Sequence, residues 1–385
     1  MKVLHLSNVL DINNGGGVYE VVVNLYHAQK KKNLDVNICY PGNCNTHPSF
    51  VSDNDVERMQ TIGNPNLGLI INKLSSKLNS SRYEIIHQHG IWLPNSLVTL
   101  KYAKKGIITF IQPHGFLERF SFNISKYKKR FAFLLYEKDN IEFSKALIAC
   151  SEKEAIRLKN IFPQKPVAII PNGVSNEFYK GYNNKRPNSV YPNKKIMLFV
   201  SQIYPLKGLE RFFKVISEVE KQLLNNWVIV IAGYGQDEYI NFLEILIKKL
   251  RIDHFIYFVG PKYNKDKIYL LDSADFFVFP THNENFGIVV AEALAHELPV
   301  LTTTGTPWQE LNTYQCGYQV QNTSSGLKSG LIKMLSLSDS QRKTMGHSGR
   351  GLINEKYLWE IIVDKTLSLY SWGMGQISKP DFVLK

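Results

Sequence analysis

Phe276-Phe277-Val278-Phe279, then Pro280-Thr281-His282-Asn283-Glu284-Asn285-Phe286-Gly287, then Ile288-Val289-Val290-Ala291-Glu292-Ala293-Leu294 follow one another without a break in this chain of 385 residues. The first four residues read as a short buried strand, the last seven open a helix, and the eight between them form the connecting loop. Strand, loop and helix in that order are the repeating unit of a parallel, doubly wound sheet. The same alternation runs outward in both directions. Towards the C-terminus, strand Val300–Thr302 follows helix Val289–His296. Towards the N-terminus lie strands Ile196–Val200, Val228–Ala232 and Ile256–Val259, separated by helical stretches Leu209–Leu224, Asp237–Leu250 and Lys265–Leu271. An earlier series, Val3–Leu6, Val36–Cys39, Ile85–His87, Ile107–Ile111 and Leu147–Ala149, alternates with helical segments Val18–Lys31, Leu67–Leu78 and Asn95–Lys104. No period of a solenoid or propeller is present.

The expected architecture is therefore α/β, with two doubly wound Rossmann-like domains facing across a cleft. A chain of this length exceeds one hydrophobic core, and two domains of roughly 170–190 residues each are its natural division. The join is placed in Pro171-Asn172-Gly173 through Asn193, a stretch with Pro, Gly and Asn and little periodicity. This gives a domain over 1–172, a second over 173–355, and a C-terminal segment over 356–385. Leu358, Ile361, Ile362, Leu367 and Tyr370 of that segment recur at helical spacing, so it is expected to pack back towards the first domain.

A hydrophobic content of 44% marks a globular protein, and no run reaches the ~18 apolar residues of a membrane span. Met1-Lys2-Val3-Leu4-His5-Leu6-Ser7 reads as a strand and lacks signal-peptide features, so the expected location is cytoplasmic, at most peripheral at the inner face of the cell membrane. Cys39, Cys44, Cys150 and Cys316 form no metal-ligand spacing and read as free thiols. The net charge of +13 is uneven: residues 1–170 hold 22 basic and 13 acidic side chains. Such a balance suits a phosphorylated substrate or an anionic membrane surface. No nucleic-acid-binding signature accompanies it, which excludes nucleic acid from the expected partners.

The loop after Phe279 carries the chemistry. A helix start with amides near Phe286–Ile288 attracts an anion such as a diphosphate. Glu284 and Glu292 flank it, and a carboxylate can accept two hydrogen bonds from a vicinal diol. This Glu284-(seven residues)-Glu292 pattern, with Asn285-Phe286-Gly287 inside it, resembles the donor-binding signature of the GT-B glycosyltransferases of family 4, a retaining class. Ile169-Ile170-Pro171-Asn172-Gly173-Val174 and Thr306-Pro307-Trp308-Gln309-Glu310-Leu311 extend the resemblance over nearly the whole chain. It implies that Glu292 holds the ribose hydroxyls of a nucleotide, and that Glu284, with the amides of Phe286 and Gly287, holds the transferred sugar and its phosphate.

Other loops fit the same resemblance. Asn14-Gly15-Gly16-Gly17-Val18 lets backbone approach a ligand at a helix start, and the resemblance puts Gly16 and Gly17 beside the donor diphosphate. His114, in Pro113-His114-Gly115, follows a strand end and resembles the active-site His that contacts the transferred sugar. His87 and His89 end the preceding strand and are expected to line or support the site. In Val200-Ser201-Gln202-Ile203-Tyr204-Pro205-Leu206-Lys207-Gly208, Lys207 matches the family's phosphate-neutralising Lys, whereas Gln202 stands where the family usually has Arg. The resemblance places Gly233 near the diphosphate and Lys262 near the base.

Asp53-Asn54-Asp55 spells the metal-binding triplet of a different glycosyltransferase fold, but no strand leads into it and it reads as loop. No metal and no cofactor are expected, the nucleotide-sugar being a substrate and His114, Lys207 and Glu284 the catalytic groups. Arg119–Lys145 interleaves seven cations with aromatic residues. It reads either as an amphipathic helix with its apolar face in the core or as a membrane-surface patch gripping a polyprenyl-diphosphate-linked glycan acceptor. The resemblance implies sugar transfer with retention from a UDP- or GDP-sugar, in bacterial surface polysaccharide biosynthesis. Two other readings stay open: a non-catalytic nucleotide-sugar-binding subunit, motivated by Gln202, and a nucleotide-sugar epimerase, which does not account for Glu284 and Glu292.

Overall fold

The computed structural model describes residues 1–7, 16–41, 55–64, 69–73, 83–92, 95–118, 126–174, 191 and 194–385. Asn14-Gly15, Cys44, Asp53-Asn54, Leu67-Gly68 and residues 74–78, 119–125, 175–190 and 192–193 lie outside the described residues. The chain divides into two compact units, Met1–Gly173 together with Trp359–Lys385, and Val174–Leu358.

The first unit is built on β1 (Lys2–Ser7), β2 (Asp35–Pro41), β3 (Val56–Asn64), β4 (Leu69–Lys73), β5 (Ile85–His89), β6 (Ile108–Gln112), β7 (Ala146–Ala149) and β8 (Val167–Ile169). The C-terminal β15 (Val383–Leu384) completes a nine-stranded sheet in the order β15-β8-β7-β6-β5-β1-β2-β3-β4. All pairs are parallel except β3 with β4 and β15 with β8. β1, β5 and β7 are buried along nearly their whole length, as central parallel strands covered on both faces should be.

One expectation fails here. The segment assigned to a helix over Leu67–Leu78 contains a strand, β4, paired antiparallel to β3 with Ile62 opposite Ile71. Leu69, Ile70 and Ile71 form a short apolar run whose periodicity does not separate helix from strand, and the pairing with β3 decides it.

The second unit carries β9 (Lys195–Val200), β10 (Trp227–Ala232), β11 (Ile256–Gly260), β12 (Phe276–Phe279), β13 (Val300–Thr303) and β14 (Gly317–Val320). Their order is β11-β10-β9-β12-β13-β14, every pair parallel. Counted from β9 this is 3-2-1-4-5-6, the order of a dinucleotide-binding sheet, and its direction reverses between β9 and β12.

The helix Trp359–Gly373 belongs to the first unit's core. Trp359, Ile362, Val363, Leu369 and Tyr370 bury against Val3, Ile85, Phe110 and the helix Gly16–Lys31. A Cβ on Gly373 would sit 2.6 Å from the Phe110 ring, so the absence of a side chain there sets how closely this helix lies on β6. Among the described residues no helix is long and apolar enough to cross a membrane.

Candidate active site

In an open α/β sheet the ligand end is the carboxyl edge at the point where strand order reverses, because the two flanking loops diverge there. In the second unit those loops are 201–208 after β9 and 280–287 after β12, and they are stitched together. The Thr281 hydroxyl and the His282 amide both donate to the Leu206 carbonyl, at 3.0 and 2.8 Å. Gly208 adopts a φ of 76° with the Pro280 carbonyl oxygen where a Cβ would lie, so only glycine closes this contact.

Two of the expected site residues meet across the paired loops. Lys207 Nζ lies 2.6 Å from Glu284 Oε2. The other carboxylate oxygen of Glu284 accepts the Asn285 amide at 3.1 Å. Burial pulls the Lys207 ammonium down, but the Glu284 carboxylate outweighs it, with Tyr204 adding in the same direction, and the net shift is upward. Lys207 also lies 5.1 Å from the Phe279 ring centroid, a position that fixes its stem.

Gly287, at φ 77°, precedes the helix Ile288–Ala295. Phe286 is an anchor: its ring packs on Trp308 and Tyr357, and its carbonyl accepts Trp308 Nε1 at 2.6 Å. What it offers a ligand is therefore backbone. Asn285 is half-buried beside Glu284.

Glu292 is held by a different lysine. It is 2% exposed on the helix and ion-paired to Lys267 at 2.7 Å. Lys267, on the helix Asn264–Ser273, carries no motif in the sequence, and nothing there marked it. Gln202 is exposed after β9. Arg211, the Arg nearest in sequence, is committed elsewhere, its guanidinium donating to the Asn322 and Pro280 carbonyls. Gly233 follows β10 and backs onto the Ser201 carbonyl, while Lys262 follows β11 and is half-buried.

In the first unit, Gly16 opens the helix Gly16–Lys31 and Gly17 is exposed. His114 follows β6 at φ 53°. The turn is held from beneath by the buried Glu154 carboxylate, which accepts the Gly115 and Cys150 amides, each at 2.8 Å. Behind His114 stands a file of imidazoles the sequence reading did not connect. His114 Nε2 is 3.0 Å from His89 Nδ1, His89 Nε2 is 2.9 Å from His5 Nδ1, and His5 Nε2 is 2.7 Å from Gln29 Oε1.

His87 stacks on His89 and reaches the Tyr370 hydroxyl at 2.7 Å. Burial lowers the pKa of all four rings, that of His5 to about 4 and that of His114 to about 3. Only the strand period shows that His87 and His89 share a face, and only the sheet register places His5 opposite His87. Ligand nitrogens of His5, His87 and His89 lie within 4.8 Å of one another, the arrangement among the described residues that could hold a metal ion. The 2.9 Å separation of the His5 and His89 nitrogens is a hydrogen-bond distance, shorter than the roughly 3.3 Å between two nitrogens of a tetrahedral ion at ~2.0 Å.

The segment after residue 125 is helical over Lys126–Ala132, continues as one π-turn over Phe133–Glu137, and resumes over Lys138–Phe143. The π-turn rotates Glu137 inward, where it accepts the Trp92 amide at 2.9 Å and Asn140 Nδ2 at 2.9 Å. Burial pushes its carboxyl pKa up. Among the described residues of this segment Ile141 is buried in the core and Phe133 packs on Trp92 and Phe162, but much of the apolar face does not follow the first of the two sequence readings. Tyr127, Phe131, Leu134 and Leu135 are 65–84% exposed, with Lys128 and Arg130 exposed among them.

The family model "Glycosyl transferases group 1" matches residues 182–351, and "Glycosyltransferase Family 4" matches residues 15–178. The chain belongs to the family 4 glycosyltransferases. It is 27% identical over 254 residues to the capsular polysaccharide biosynthesis glycosyltransferase CapM of Staphylococcus aureus, covering 63% of this chain and 66% of CapM. It is 28% identical over 187 residues to the lipopolysaccharide glucosyltransferase WaaG of Escherichia coli, covering 48% of this chain and 46% of WaaG. The aligned segments thus span between about half and two thirds of these curated relatives. Sucrose-phosphate synthase from Thermosynechococcus elongatus superposes with a TM-score of 0.76 at 16% identity, over 98% of this chain and 100% of its own. That likeness shows the shared GT-B fold, two Rossmann-like domains.

Proposed function

We propose that this family 4 protein is a retaining glycosyltransferase that moves a sugar from a UDP- or GDP-sugar to a glycan acceptor on a lipid diphosphate, in surface polysaccharide assembly. The Lys207–Glu284 pair at the strand-order reversal carries the reading. A diphosphate arriving there is a stronger partner for the ammonium than one carboxylate, because it offers more anionic oxygens. Lys207 then turns to the leaving phosphate while Glu284 is released to accept hydroxyls of the sugar. The helix start at Gly287 adds positive potential to the same spot.

Catalysis is leaving-group stabilisation by preorganised charge, with Lys207 and the helix start taking the part a divalent cation plays elsewhere. Glu292, fixed by Lys267, binds the ribose diol, and His114 hydrogen-bonds the transferred sugar. The names of the relatives, a capsular polysaccharide biosynthesis glycosyltransferase and a lipopolysaccharide glucosyltransferase, favour a surface-glycan acceptor.

The exposed Tyr127, Phe131, Leu134 and Leu135, mixed with Lys128 and Arg130, suit the surface of an anionic bilayer where such an acceptor resides. In a flotation assay the protein should bind vesicles rich in phosphatidylglycerol. Leu134→Asp with Leu135→Asp should abolish that binding.

A second reading, a donor-binding subunit without turnover, rests on Gln202. Thermal shift and calorimetry over UDP-, GDP- and ADP-sugars, with Glu292→Ala beside the wild type, test both. Binding of one nucleotide class that the variant loses supports the donor site. Turnover or slow hydrolysis of that donor then separates enzyme from subunit. No binding to any nucleotide would overturn the reading.

A further inference from the structure

The file of imidazoles behind His114 has a direction, and Gln29 sets it. Gln29 presents its amide oxygen to His5 Nε2 at 2.7 Å, while its amide nitrogen faces the Tyr370 hydroxyl at 3.4 Å. An amide oxygen only accepts, so His5 carries its proton on Nε2. A neutral imidazole has one N–H, so His5 Nδ1 is a bare lone pair. His89 Nε2, 2.9 Å away, must then donate to it. That leaves His89 Nδ1 bare, and His114 Nε2, at 3.0 Å, must donate in turn. The last step leaves His114 Nδ1 without a proton.

All four participants lie on the ligand half of one sheet or on the helix packed against it: His5 on β1, His89 ending β5, His114 after β6, Gln29 on the helix Gly16–Lys31. The His5 and His89 rings are buried, that of His114 is half-buried against His89, and all three are neutral at pH 7.

We propose that Gln29, through His5 and His89, fixes His114 in the tautomer whose Nδ1 is an acceptor, so that this position recognises a hydroxyl group of the sugar and rejects a phosphate oxygen. Gln29, His5 and His89 are positioning residues; His114 alone touches the ligand. The inference rests on the placing of His114 at the sugar, but the tautomer itself does not. Rotating the Gln29 amide by half a turn would reverse every donor in the file and leave His114 Nδ1–H, which repels the hydrogen of a sugar hydroxyl and favours an anion.

The test is nitrogen-15 NMR of the full chain labelled at histidine, observing long-range couplings that distinguish the two neutral tautomers and the imidazolium. In the wild type at pH 7, His5, His89 and His114 should all be Nε2–H. Gln29→Glu, which can only accept at the same place, should keep that pattern. Gln29→Leu should let His114 populate both tautomers. A wild-type His114 that is Nδ1–H or doubly protonated overturns the proposal, as does a Gln29→Leu spectrum identical to wild type.

Calorimetry then separates this proposal from the reading beneath it. Gln29→Leu should weaken the bound nucleotide-sugar by roughly 5–30-fold, the range of one hydrogen bond, and leave the matching nucleoside diphosphate unchanged. If the tautomers behave as stated but neither Gln29→Leu nor His114→Ala alters sugar-dependent affinity, the relay stands and the sugar contact of His114 falls. A variant that loses its spectrum through unfolding is replaced by Gln29→Met, closer in length.

Discussion

Lowering the pH from 7 to 5 should destabilise the first unit through its buried imidazoles. His5 has a pKa of about 4 in the folded protein against 6.5 for an ordinary histidine, and His114 about 3. Below pH 6.5 the unfolded chain therefore binds protons that the native file refuses, and stability must fall as pH falls. Between pH 7 and 5 each group with such a shift removes about 2 kcal/mol. The contributions add, because in this window the protons bind only to the unfolded chain, where the histidines are far apart. His5 and His114 together give about 4 kcal/mol, and His87 and His89, lowered further, act in the same sense. Glu137 works the other way, since burial raises its pKa, but it is one group against four.

For a unit of roughly 200 residues, 4 kcal/mol corresponds to a fall in Tm of roughly 8–16 °C. Differential scanning calorimetry at pH 7, 6 and 5 reads it, with hydrogen exchange at β1 and β5 assigning the transition. His5→Gln should flatten the dependence by about 2 kcal/mol over the same interval. A first-unit Tm that is constant or rises towards pH 5 would refute the burial of neutral histidines on which both this prediction and the relay depend.

Lys207→Ala and Glu284→Gln should each lower kcat by roughly 10²–10³-fold, the usual cost of removing one preorganised charge, and a transfer assay showing both variants at wild-type turnover would sink the assignment. Gly208→Ala should cost at least about 2 kcal/mol, because it combines a left-handed backbone with a Cβ directed at the Pro280 carbonyl oxygen; urea unfolding of the second unit measures it. Glu154→Ala strands the Gly115 and Cys150 amides and should destabilise the first unit by roughly 2–4 kcal/mol. Histidine NMR of that variant should also show a displaced His114 signal.

Alternating apolar strands and helices made the central strands of both sheets legible in the sequence, because parallel strands buried on two faces have little freedom in composition, whereas β3, β8, β14 and β15 were not anticipated. Leu69–Lys73 escaped, since its pairing partner β3 is itself a mixed stretch, Val56–Asn64, with no alternation to announce it. Within the site, Lys207 and Glu284 were readable from loops at strand ends, and the structure brings them to 2.6 Å. Lys267 was not readable: a lysine on a surface-facing helix looks like any other until the fold lays it on Glu292. The same holds for Gln29 and Glu154, whose roles come from a partner far along the chain. Local pattern names the residues that line a turn, while the groups that orient them arrive by long-range packing.

The two units meet polar ligands with opposite electrostatics. At the reversal point of the second unit, both acidic side chains of the motif are held by lysines, Glu284 by Lys207 and Glu292 by Lys267, so the edge is charged but locally balanced. On the proposed function, a diphosphate entering there would exchange one anion for another at the ammonium and expose a carboxylate in the process, coupling phosphate binding to hydroxyl recognition. The corresponding edge of the first unit holds neutral imidazoles whose pKa values stand far below neutrality. Bringing an anion beside them would gain no Coulombic attraction, whereas a neutral hydroxyl loses nothing and gains a directed acceptor. On the proposed function, Lys207 takes the phosphate with Glu284 and Glu292 taking hydroxyls beside it, whereas the neutral file ending at His114 suits hydroxyls alone; the basic excess of the first 170 residues lies elsewhere on that unit's surface, where Lys128 and Arg130 stand exposed among Tyr127, Phe131, Leu134 and Leu135.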